Sequence, residues 1–304
     1  MHTHQGAHPE SSASIYRQAA VEHVDLGSTR LAFRRFGPPG GEPILLVHGW
    51  PLNGFTWRKI LPPLVARGYH AVTVDLAGAG DSEWTATNDF SFHGHAAHLQ
   101  GLVRHLGWDA YRLIAHDTGA TVARRLAVLE GARVRQGVYI DTEIPHHRPP
   151  LVETFQRLAA LPGTARVFGL LLRSRRYLRS GPGFGGCFVD KSLIDGAFTE
   201  GFVAPLLGSK KKLDGQMRYV RGIDWKQLDQ LAVDHAKIVG SSLLVWGEHD
   251  PFFPIDRARA MVPQFKDCRG LVVIPQTKLL PHEERPELVA EHVLAFFGAG
   301  ARES

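Results

Sequence analysis

The 304-residue chain carries only two cysteines, Cys187 and Cys268, and no CxxC pair. That rules out a disulfide framework or a paired-thiol metal site, and the expectation is two reduced, packed thiols in a cytoplasmic protein. No apolar run approaches the ~20 residues of a membrane span, and the opening MHTHQGAHPESSAS lacks the apolar segment of a secretory leader. Residues 1–14 read as a disordered tail. Three chemistry-bearing motifs are also missing: GxSxG, GK[ST] and HExxH. Their absence removes a serine nucleophile elbow, a phosphate loop and a helical zinc site. No metal or cofactor is implied.

At 44% hydrophobic and 21% charged, the chain has the composition of an ordinary globular protein. The net charge of +5 is local, because residues 146–235 hold 14 Lys+Arg against 8 Asp+Glu. The runs Arg173-Ser174-Arg175-Arg176 and Lys210-Lys211-Lys212 dominate this excess. Such a patch steers anionic ligands or is simply a solvated helix face. No motif or aromatic interleaving points to nucleic acid. The sequence is silent on oligomeric state.

Short, continuous, β-branched runs at Ile44–Val47, Ala71–Val74, Tyr111–Ala115, Gly137–Ile140, Leu243–Trp246 and Leu271–Ile274 predict strands buried on both faces of a parallel sheet. Amphipathic stretches between them predict helices, and the repeated order implies an α/β, mostly parallel, doubly wound sheet. Val21–Phe36 alternates and carries Gly27-Ser28, which predicts an antiparallel edge hairpin. The order breaks once, after Ile140, where helical patterning alone runs to Leu243. The division is therefore a core of 15–145 and 236–304 with a helical insertion of 146–235 over the sheet's carboxyl edge. Ser180-Gly-Pro-Gly-Phe-Gly-Gly186 within it reads as a hinge or turn.

The segment Leu113-Ile-Ala-His-Asp117-Thr-Gly-Ala-Thr-Val122 carries the chemistry. A buried strand turns sharply into a helix, small residues flank the turn, and Asp117 sits at its apex. A carboxylate there can attack an electrophilic carbon and form an ester; the alternative is that Asp117 caps the helix. His48-Gly49-Trp50-Pro51 follows an earlier strand, and Trp246-Gly247-Glu-His-Asp250-Pro251 places a carboxylate past a later one. Together these motifs resemble the α/β-hydrolase superfamily, in the branch of epoxide hydrolases and haloalkane dehalogenases that uses an Asp nucleophile. The resemblance covers about Val21 to Phe297 and implies an α/β-hydrolase fold with a helical cap.

By position, the resemblance implies Asp117 as nucleophile, with Trp50 and Thr118 supplying backbone oxyanion donors. Asp250 becomes the acid that orients a histidine base, with Asp141 the alternative acid. The base should lie seven residues before Pro286, and that column holds Leu279, which has no group to take a proton. His282 stands three residues later and is the candidate replacement. Trp is usual after the nucleophile in dehalogenases, whereas this chain has Thr118. Trp50 before Pro51 is closer to epoxide hydrolases, whose cap tyrosines protonate the opening ring; Tyr177 and Tyr219 are the candidates here. The expected activity is thus hydrolysis of a small apolar electrophile through an alkyl-enzyme ester, without membrane or nucleic-acid partners. The alternative is a non-hydrolytic member, such as a pseudo-enzyme, ligand binder or cyclase-like enzyme. Phe168, Phe184, Phe188, Phe198 and Phe202 are expected to roof the pocket, while His93, His95 and His98 read as an exposed cluster.

Overall fold

A computed structural model describes residues 9–300. Nine strands form one sheet: β1 (Glu22–Asp25), β2 (Thr29–Phe36), β3 (Pro43–Val47), β4 (His70–Val74), β5 (Glu83–Trp84), β6 (Tyr111–His116), β7 (Val134–Ile140), β8 (Ser241–Gly247) and β9 (Cys268–Ile274). The order is β1-β2-β4-β3-β6-β7-β8-β9, with β5 on β2. The β1–β2 hairpin and the β2–β4 and β2–β5 pairings are antiparallel, and the run β4-β3-β6-β7-β8-β9 is parallel. The inner strands have no polar face: every residue of β4 and β6 is buried. Helices must therefore cover both sides.

In the core these are α1 (Pro9–Gln18), α2 (Leu61–Ala66), α3 (Phe92–Leu106) and α4 (Thr118–Glu130). The register places Val47 opposite both Val74 and Ala115, and Ile140 opposite both His116 and Val245. These strands end level with one another, so the loops after them meet at one edge of the sheet. Pro9–Gln18 is a helix, a correction to the expected tail through residue 14. Ala13 and Tyr16 are buried, and Tyr16 stacks on Phe36 and meets Phe55 edge to face. These apolar contacts outweigh a polar local sequence. Residues 1–8 lie outside the described residues.

Between β7 and β8 run helices only: α5 (Pro150–Ala159), α6 (Thr164–Leu172), α7 (Arg175–Leu178), α8 (Ala204–Leu207), α9 (Lys210–Arg221) and α10 (Trp225–Asp234). The last three, α11 (Ile255–Met261), α12 (Pro281–Glu284) and α13 (Pro286–Gly300), follow β8 and β9. Phe198 packs against Phe184, Phe188 and Phe202 and gives the inserted helices a small aromatic core of their own.

Candidate functional site

Asp117 occupies the turn from β6 into α4 with φ +52°, a left-handed conformation unusual for a residue other than glycine. The turn closes because its neighbours lack side chains. A Cβ on Gly119 would lie 2.0 Å from the His48 carbonyl, and one on Gly49 would lie 2.4 Å from the Asp117 side chain. The carboxylate makes no cap to α4. Its Oδ2 instead accepts the Trp50 N–H at 2.9 Å, with the Thr118 hydroxyl at 3.4 Å. No donor holds Oδ1. Burial, and then the charge of Glu143, push the Asp117 acid well above the usual carboxylate range; the Thr118 and Trp50 amides pull the other way.

The carboxylate opens on an apolar cavity of about 90 Å³ beneath the inserted helices. Trp50, Phe155, Phe168, Leu172, Phe184 and Leu279 form much of its wall. Of the five phenylalanines expected to roof it, only Phe168 and Phe184 do so. Phe188, Phe198 and Phe202 are consumed by the aromatic core above. Pro182 and Gly183 from the glycine-rich stretch reach the wall as well.

Tyr177 lines the cavity, its hydroxyl donating to the Pro182 carbonyl at 3.4 Å. Tyr219 does not reach the wall. It lies beside Thr118, hydroxyl to hydroxyl at 3.1 Å, where it braces the residue next to Asp117. The Trp50 indole donates to the Gln216 carbonyl at 3.1 Å, so it is not directed at a ligand.

The structure does not bring His282 to this cavity. The ring is fully buried, its Nε2 lies 2.7 Å from the Thr56 hydroxyl, and it packs on Trp57 and His116. Its neighbour Glu283 is clamped by Arg58 through bonds of 2.5 and 2.9 Å, with both partners buried. That two-pronged ion pair fixes α12 and turns the imidazole into the core. Burial, Lys59 and Arg58 lower its pKa to about 3, which disqualifies it as a base near neutrality. Leu279 lines the cavity instead.

Asp250 and Asp141 meet each other. Asp250 Oδ1 accepts the Phe252 and Phe253 amides at 2.7 and 3.2 Å, and Asp141 Oδ1 accepts the Gly247 amide at 2.8 Å. The remaining Oδ2 atoms are both buried without a hydrogen-bond partner, and the two acids interact, so a shared proton would relieve both. Burial raises both acids, Asp250 to about 7. Both positions that would orient a histidine are thus filled, with no histidine between them.

Acids raised on folding bind more protons in the native state, so their stabilisation is complete at low pH and is lost as pH rises. Thermal stability should fall between about pH 4, the ordinary range of an Asp, and about pH 7. Asp141→Asn should flatten that fall, because the amide donates without titrating. Melting curves across this range check it, and an unchanged slope in the variant counts against the shared proton.

Glu143 is the residue that motif reading missed. It lines the same cavity as Asp117 although little of it is exposed, and its Oε2 accepts the Thr121 hydroxyl at 2.6 Å. Fully buried Arg124 holds the Glu143 carbonyl, Thr121 and Thr142 at 2.8 to 2.9 Å. Burial raises the Glu143 acid. The only sequence signal was an acidic residue two places past Asp141. His48, His95 and His98 are held inside the fold. His48 donates to the Gly49 carbonyl and accepts the Leu76 amide. Of the cluster expected to be exposed, His95 and His98 are buried and His95 stacks on Tyr219, because α3 packs that face inward. Among the described residues no group of three His, Cys, Asp or Glu is placed to hold a metal.

Comparison with known proteins fits this architecture. The family described as alpha/beta hydrolase fold matches residues 42–286. Epoxide hydrolase A of Mycobacterium tuberculosis is 30% identical over 135 residues, 44% of this chain and 42% of that protein. A haloalkane dehalogenase of Mycobacterium marinum is 24% identical over 294 residues, 91% of this chain and 93% of that protein. Among solved structures, the epoxide hydrolase CorEH superposes with a TM-score of 0.77 at 21% identity, covering 93% of this chain and 99% of that one.

Proposed function

The chain belongs to the alpha/beta hydrolase fold family, and from that premise we propose that it hydrolyses small apolar epoxides through an ester on Asp117. The observation that carries the reading is the Asp117 carboxylate, with Oδ2 held by the Trp50 amide and Oδ1 unheld, facing an apolar cavity. An oxygen without a donor is the better nucleophile, and the amides around Oδ2 stand ready for the oxyanion of the later tetrahedral intermediate. Epoxide hydrolase and haloalkane dehalogenase relatives support the chemistry class. Epoxides are favoured over halides because the Trp50 indole is engaged and Thr118 offers no second indole to a leaving halide.

Two buried carboxyls lining one cavity do not both ionise readily, so one proton resides on the pair. With Asp117 charged and Glu143 protonated, Oδ1 attacks an epoxide carbon, the C–O bond breaks, and Glu143 gives its proton to the alkoxide. Glu143, now a carboxylate, takes a proton from water as that water attacks the ester carbonyl. The intermediate collapses to the diol and an ionised Asp117, leaving Glu143 protonated again. Glu143 thereby does the work expected of His282. Tyr177 on the cavity wall would support this protonation by turning its hydroxyl from the Pro182 carbonyl to the epoxide oxygen.

The test is intact-protein mass spectrometry with a panel of epoxides, with diol formation followed in the same samples. A mass gain of one epoxide, followed by diol release, supports the reading; no adduct and no diol across the panel counts against it. Glu143→Gln should form the ester and then lose it on the order of 10²-fold more slowly. Leu279 on the cavity wall favours a second reading, in which alkylation is the end point. It gains if the wild-type adduct persists and Glu143→Gln changes nothing.

A further inference from the structure

The outer face of the roof over the cavity is apolar. Among the described residues eleven large hydrophobics are exposed, and five of them fall within Leu158–Leu171: Leu158, Leu161, Val167, Leu170 and Leu171, at 39 to 60% exposure. Helix α6 is apolar on both sides. Phe168 and Leu172 face the cavity, while Val167, Leu170 and Leu171, three and four residues apart, share the face toward solvent. The Thr164 hydroxyl bonds the carbonyls of Leu158 and Leu161, which joins the end of α5 to the start of α6. A helix apolar all round is normally buried, and a contiguous exposed patch marks a docking surface.

The unpaired charge around the patch is positive. From Thr154 to Val189 there are six arginines and no Asp or Glu. Arg175 and Arg179 pair with Asp195, and Arg157 reaches Glu153 at 3.9 Å. Arg166, Arg173 and Arg176 are exposed, and no ion pair holds them among the described residues. A twofold contact with a second copy would set this patch against itself and bring arginine to arginine. Exposed leucines ringed by unpaired arginines are instead complementary to anionic phospholipid, whose headgroups take the arginines while its acyl boundary takes the leucines.

From this we infer that the α5–α6 face of the inserted helices docks on an anionic lipid surface. The docking is peripheral, since no described helix is long and apolar enough to cross a membrane. It refines the expectation of no membrane partner, which rested on spanning segments alone. The inner side of the same helix walls the cavity, so the docked face sets the pocket against the phase in which apolar molecules dissolve.

The test is co-sedimentation of the full chain with phosphatidylcholine vesicles, with and without phosphatidylserine. Binding should require phosphatidylserine and weaken with salt. Arg166→Gln, Arg173→Gln and Arg176→Gln together should weaken it on the order of 100-fold, about fivefold per arginine. Val167→Ser with Leu170→Ser should weaken it at least ~10-fold. Asp117→Asn should bind as the wild type does, which separates this inference from the reading of the site. It is overturned by absence of binding to either vesicle, by binding that neither variant changes, or by a dimer in solution that Val167→Ser with Leu170→Ser dissociates. A patch that retains an acidic protein but no vesicle also overturns it.

Discussion

Asp117→Asn is expected to remove both covalent adduct and diol, with turnover falling on the order of 10⁴- to 10⁶-fold. The amide is nearly isosteric and its oxygen can still accept the Trp50 N–H, so the elbow should survive. What disappears is the charge on Oδ1, because an amide oxygen is a poor nucleophile toward an epoxide carbon. The same substitution gives a physical control. Burial and Glu143 both disfavour the Asp117 anion, so the anion's cost to folding appears only where Asp117 is ionised. The variant should therefore melt higher than wild type at alkaline pH and close to it at pH 4, since there both side chains are neutral. Turnover left intact in the variant would falsify the nucleophile assignment. A variant that melts lower at every pH would show instead that the carboxylate is structural.

Leu279→His is the reverse experiment. Leu279 already lines the cavity, and its carbonyl accepts His116 Nε2 at 2.8 Å, a backbone contact that the substitution leaves alone. The loop bearing Asp250 is tied to the loop bearing Leu279 by the His249 amide and the Thr277 carbonyl at 2.8 Å. An imidazole introduced there has a buried acid waiting on the neighbouring loop. It should speed hydrolysis of the Asp117 ester by 10²- to 10⁴-fold, the usual worth of a positioned base. The new cation should also draw Asp250 below its present value of about 7. Decay of a preformed adduct, followed by mass, measures the first effect, and the pH dependence of that decay measures the second. Decay at the wild-type rate would show that ester hydrolysis does not depend on a base in this column.

Legibility in the sequence followed the range of the interaction. Buried strands were readable because a chain segment covered on both faces must be apolar throughout, and β3, β4, β6 and β8 needed only one or two residues more at either end. The elbow was readable because a turn that tight excludes side chains, which left Gly49 and Gly119 beside Asp117. Tyr177 is legible in the sequence and does line the cavity, whereas the direction of His282 is not legible there. His282 is the histidine nearest in sequence to Leu279. Its direction is set by the Arg58–Glu283 ion pair, whose members are 225 residues apart. Glu143 escaped notice because no local rule distinguishes a loop acid facing solvent from one under a roof. The buried helix at Pro9–Gln18 escaped for the same reason, since what covers it comes from β2 and the segment after β3.

Sequence by itself determined the α/β order, the helical insertion and the acid at the elbow. Each depends on residue type at a fixed short spacing, and backbone geometry turns such spacing directly into structure. Tertiary structure alone decided which polar groups share the cavity: Glu143 inside, His282 outside, Asp141 and Asp250 paired with each other, and a greasy, basic face left open above. Those outcomes depend on desolvation and on ion pairs between distant segments, and such energies have no value until the chain has closed around them.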